Sequence, residues 1–85
     1  MKKEWLITFR SITFAQKAQW ALGRRKIQCT IQRTPKALTE RGCGYCLRLS
    51  EQDAPFAVTV LQREKLTYEK LYAIGESGEM EEQAP

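Results

Sequence analysis

Residues 27–50 read IQCTIQRTPKALTERGCGYCLRLS. Ile27, Cys29 and Ile31 alternate with Gln28, Thr30 and Gln32, and Tyr45, Leu47 and Leu49 alternate with Cys46, Arg48 and Ser50. A period of two is the signature of a strand with one apolar and one polar face. Pro35 ends the first run because it offers no N–H to a ladder. Residues 33–42 then form a basic loop that closes on Gly42.

The same reading extends in both directions. Trp5, Ile7 and Phe9 alternate over residues 5–10, a strand. Ser11 follows as a helix N-cap, and Phe14, Ala18, Ala21 and Leu22 recur on one helical face, with Trp20 beside that stripe as partial core. Arg24, Arg25 and Lys26 crowd the end of this helix, where cations suit the dipole. Asp53 caps a second helix with Pro55 in its first turn, and Phe56, Ala57, Val60 and Leu61 form its apolar face. Residues 68–74 are a last strand. Residues 75–85 are acidic and aperiodic and are expected to be a disordered tail. The order β-α-β-β-α-β predicts an α+β, ferredoxin-like two-layer sandwich over residues 1–74. Its four-stranded antiparallel sheet would carry both helices on one face and leave the other face wet.

Composition narrows the function. The 85 residues hold no His, so Ser-His-Asp, Cys-His and HExxH chemistry is excluded within the chain. No apolar run approaches the ~20 residues of a membrane span. No secretory leader is visible at the N-terminus, and three cysteines are an odd number, so reduced thiols and a cytoplasmic location are expected. The formal net charge of +4 conceals an imbalance: residues 1–50 hold eleven Lys and Arg against two Glu, and residues 51–85 hold three against eight Asp and Glu. A basic half suggests an anionic partner surface.

Chemistry concentrates in Arg41-Gly42-Cys43-Gly44-Tyr45-Cys46. Cys43 lies between two glycines, so neither neighbour obstructs its sulfur. Arg33, Lys36, Arg41 and Arg48 share the stretch, and cations favour thiolate over thiol. Cys43 is the candidate nucleophile, and Cys46 is its possible resolving partner. A thioredoxin-like CxxC would place the first sulfur at a helix N-terminus, whereas this motif runs into a strand. A zinc site needs about four ligands, more than two cysteines supply, so no metal is expected. RNA-recognition parity would bury Arg48 and expose Leu47, and Cys43 stands where a base-stacking aromatic belongs, which argues against nucleic acid. Strand parity instead sends Arg48 to solvent and Cys46 out through the open face.

The ordered set of features resembles the Putative Se/S carrier protein-like family of small bacterial proteins, from about Trp5 to Ile74. The matching pieces are Leu6-Ile7-Thr8-Phe9, Ser11-Ile12-Thr13, Ala18 to Leu22, Ile27 to Ile31, Pro35, Cys43-Gly44, Leu47-Arg48-Leu49, Phe56 to Leu61 and Tyr68 to Ile74. The resemblance implies that Cys43 carries sulfur or selenium as a persulfide or perselenide, between a donor and an acceptor protein. It implies no cofactor, and a carrier rather than an enzyme. The chain departs from the family pattern at Cys46, where a small residue is usual, and in the loop Lys36-Ala37-Leu38-Thr39. The alternatives are a non-catalytic binding module using the basic face, for protein or RNA, and a CxxC thiol redox protein.

Overall fold

A computed structural model describes residues 4–35, 44–75 and 78–83. Along them run β1 (Glu4–Phe9), α1 (Ile12–Gly23), β2 (Thr30–Arg33), β3 (Tyr45–Ser50), α2 (Ala54–Arg63), β4 (Leu71–Ile74) and β5 (Met80–Gln83). The strands form one antiparallel sheet in the order β2-β3-β1-β4-β5. This corrects the expected four-stranded ferredoxin-like sheet, although the class remains α+β. The fifth strand comes from the stretch expected to be a disordered tail. Its cause is a local turn: Gly78 N donates to Gly75 O at 3.0 Å and Gly75 N to Glu79 O at 2.8 Å. Gly78 takes φ 87, which glycine adopts without steric cost. Of the four β5 residues only Met80 is apolar, so the strand has no hydrophobic alternation to read.

Strand parity places the main core as expected. Ile7, Phe9, Leu47, Leu49 and Leu71 pack against α1 and α2, with Cys29, Ile31 and Tyr45 at the margin, and Arg48 is exposed. Ile27 is buried in the same core but precedes β2, which begins only at Thr30. The opposite face is not uniformly wet. Leu6, Cys46 and Tyr72 are buried there, with Ile74 and Met80 packed against them. β5 therefore extends the sheet and also helps cover its second face.

α1 buries Ala15, Ala18, Ala21 and Leu22. Three alanines let the helix approach the sheet closely. The expected N-cap is present, with Ser11 Oγ accepting from Phe14 N at 3.4 Å. Phe14 and Trp20 do not join the core: they are 44% and 64% exposed, because the buried stripe is centred on Ala15, Ala18 and Leu22. In α2, Phe56 is likewise exposed, and Ala54 and Val58 are buried instead. Asp53 holds the N-cap position without capping, since its carboxylate accepts from Ser50 Oγ at 3.1 Å.

Both helices end in the same way. Lys26 N donates to Gly23 O and Ile27 N to Leu22 O; Lys65 N donates to Gln62 O and Leu66 N to Leu61 O. This is the Schellman arrangement, in which the chain reverses through one left-handed residue and tucks an apolar residue beneath the helix. The left-handed residues are Lys26 (φ 62) and Lys65 (φ 57), where glycine is the usual choice. Lys65→Gly is therefore expected to raise stability by up to about 1 kcal/mol by removing the Cβ conflict. Chemical denaturation measures it, and a loss of stability would contradict the assignment.

Candidate functional site

Cys43, Lys36 and Arg41 lie outside the described residues. The structure does define the chain on the C-terminal side of Cys43. Thr34 N donates to Gly44 O at 3.2 Å, continuing the β2–β3 ladder past Arg33 and Tyr45. Gly44 has φ 120, and a Cβ there would lie 3.1 Å from Phe9 O and 3.5 Å from Thr34 Oγ1. A side chain there would be strained by the positive φ and tight against Phe9 O, while Thr34 Oγ1 stands at ordinary contact distance. Glycine after Cys43 is thus favoured by the backbone conformation and by the close approach of β1. Gly44→Ala is expected to cost about 1–2 kcal/mol from the backbone alone. An unchanged denaturation midpoint would contradict it.

The cationic residues divide. Arg33 is the cross-strand partner of Tyr45, so it sits beside Gly44, and it is exposed. Arg48 is three residues further along β3, about 10 Å away at strand rise. Its guanidinium pairs with Glu4 at 3.1 Å. Arg10, which follows the Tyr45 partner Phe9, is paired with Glu69, so Arg33 is the cation at the Gly44 end without a carboxylate partner among the described residues, and Arg48 is paired with Glu4.

The described thiols differ from expectation. Cys46 is fully buried, among Leu6 and Tyr72 on the face away from the helices, and does not leave through an open face. Its Sγ points to Arg33 O at 4.0 Å. Burial pushes this thiol up, while the Arg48 charge and the side chains of Gln32 and Thr34 offset part of the rise. Cys29 packs at the edge of the main core, half-buried, and burial pushes it up too. Its carbonyl accepts from Gln19 Nε2 at 3.1 Å. The two sulfurs lie on opposite faces of the sheet, so the fold does not bring them together. Among the described residues, no group of three His, Cys, Asp or Glu is arranged to hold a metal ion.

Cys29 borders a broad groove of about 890 Å³ between the end of α1 and the end of β3, with Lys26, Ser50 and Asp53 on its walls. The groove is at the far end of β3 from Gly44. Sequence reasoning missed Thr34, whose Oγ1 is buried beside Gly44 without a well-formed hydrogen bond. A Thr preceding a Pro carries no signal of burial at that place. No helix among the described residues is long and apolar enough to cross a membrane.

A family model described as Putative Se/S carrier protein-like matches residues 4–73. No curated protein and no solved structure matches the chain.

Proposed function

The chain belongs to the Putative Se/S carrier protein-like family, whose model spans residues 4–73, and on that premise we propose that it shuttles sulfur or selenium on Cys43 between a donor and an acceptor protein. The observation that carries this reading is the family match itself, which includes Cys43-Gly44. The local structure around Cys46 supports a carrier over a thioredoxin-like dithiol protein. Such a motif places its first sulfur at a helix N-terminus, whereas Tyr45 and Cys46 open β3.

The transfer balances without a cofactor or metal. The Cys43 thiolate attacks the outer sulfur of a donor persulfide. Its electron pair makes the new S–S bond, and the donor's S–S bond breaks with its pair leaving on the donor sulfur, which takes up a proton. An acceptor thiolate repeats the attack on the outer atom now held by Cys43. The chain acts as a carrier rather than an enzyme, and the lack of His is no obstacle to that role. Arg33, with Lys36 and Arg41 from the same segment, favours the thiolate of Cys43.

Site-resolved alkylation against pH tests the reading. Cys43 is expected to react fastest and to have a pKa below the ordinary thiol value of about 8.5. Cys29 and Cys46 are expected to lag because both are pushed up by burial. If Cys43 reacts no faster than Cys29 in folded protein, the carrier reading loses its chemical basis.

A further inference from the structure

A carrier must dock before it transfers. One exposed surface has the composition for that and lies on α1, away from the Cys43 segment in sequence. Residues 5–39 contain no Asp or Glu. Within them, Lys17, Trp20 and Arg24 follow one another at i, i+3 and i+7, along a single seam of the helix and its C-cap. All three are exposed. The buried stripe of Ala15, Ala18 and Leu22 faces the other way. The Arg24 guanidinium lies over the Trp20 ring, 4.8 Å from its centroid. That contact orders the indole and leaves its second face open, at 64% exposure. Among the described residues, Arg25 pairs with Glu64 and Arg10 with Glu69, whereas Lys17 and Arg24 have no ion-pair partner. The seam therefore presents two uncompensated cations about an exposed tryptophan.

We propose that the Lys17–Trp20–Arg24 seam of α1 is a docking surface for a partner protein, which receives the indole in an apolar depression rimmed by carboxylates. This rests on the carrier reading, which requires donor and acceptor proteins to engage the chain. Trp and Arg are the side chains that most often anchor protein interfaces, because they bury large areas with few degrees of freedom. The complementary charge is acidic, since the seam offers only cations. Single-stranded nucleic acid fits less well: it needs several stacking faces along a groove. Here one indole stands on a convex helix, with one of its faces already taken by Arg24.

The test uses Trp20 emission in Trp5→Phe protein, where Trp20 is the sole tryptophan. The probes are a short synthetic peptide with glutamates flanking a central Leu-Phe pair, the same peptide with glutamine for glutamate, and a short polyuridine. A saturable emission change is expected with the acidic peptide. It should weaken at least about tenfold in the Lys17→Glu/Arg24→Glu variant, and weaken with added salt. No saturable change, an equal response to the glutamine peptide, or tighter binding of polyuridine overturns the proposal. Should Trp5→Phe misfold, the Trp20 indole N–H resonance of nitrogen-labelled wild-type protein reports the same binding. Loading of Cys43 by inorganic polysulfide is followed in parallel on the charge-reversed variant, whose changes are on α1. Loading retained with docking lost supports this surface, whereas docking intact with no loading in either protein counts against the carrier reading alone.

Discussion

Leu47→Ala is expected to be among the most destabilising single changes in the domain. Leu47 has no exposed surface, and its cross-strand partners are Ile7 on β1 and Ile31 on β2. It packs in the cluster that includes Leu22 of α1 and Leu61 of α2, so its side chain joins the sheet to the helical layer. Truncating a buried Leu costs about 2–5 kcal/mol, the larger values arising where the cavity cannot collapse. A chain of this length commonly has roughly 4–13 kcal/mol in total, at about 0.05–0.15 kcal/mol per residue. Arg48→Ala, at the next position, should change little. Its side chain is on the exposed surface, and surface ion pairs are commonly worth about 0–1 kcal/mol. Urea unfolding of the two variants measures the contrast. Equal midpoints for both would show that the parity of β3 is wrong.

The second large effect concerns Cys46. Replacing it with Asp would bury a charge in the strip formed by Leu6 and Tyr72, and is expected to cost several kcal/mol or abolish folding. Alkaline pH makes the same perturbation in the native chain by forming the thiolate. The folded-state pKa of Cys46 is raised, with burial as the leading cause. A raised pKa means that the stabilising contribution is complete below the unfolded thiol value of about 8.5 and is lost as pH climbs through the folded value. Stability should therefore fall on the alkaline side, and Cys46→Ala should flatten that fall. Cys29, also pushed up, leaves a residual slope in the variant. Denaturation midpoints across the alkaline range give the answer. An unchanged slope in Cys46→Ala would remove Cys46 from the account.

The β2–β3 region was legible because alternation is a direct consequence of the pleat: Leu47 and Leu49 are inside and Arg48 is outside. β5 was not legible. A short edge strand of Met80, Glu81, Glu82 and Gln83 is specified by its turn and by ladder bonds to β4, neither of which leaves an apolar period. Cys46 is covered by nearer strands: its cross-strand partners are Thr8 and Gln32, and Leu6 and Tyr72 share its face. The open face expected for it carries a second apolar patch, part of which comes from Met80 of the unforeseen strand. The helices show a different limit. Trp20 and Phe56 are apolar enough to be assigned to the core, but alanines set the buried phase of α1 and leave large side chains at its flank. At the site, the preference for glycine at Gly44 can be traced in part to Phe9 O, a contact between strands distant in sequence. Arg48 was grouped with the site cations by sequence proximity, yet its partner is Glu4 on the neighbouring strand.

The central claim is that Cys43, and neither of the other thiols, carries the chalcogen. Its most direct test is the intact mass of folded protein after incubation with a persulfide donor and removal of excess reagent. Wild type, Cys43→Ala, Cys46→Ala and Cys29→Ala should be compared under the same conditions. One added sulfur is expected in wild type and in the Cys46 and Cys29 variants, released by a thiol acceptor, and none in Cys43→Ala. Retention of the added sulfur in Cys43→Ala, or its loss in Cys46→Ala with the fold intact, would contradict the claim.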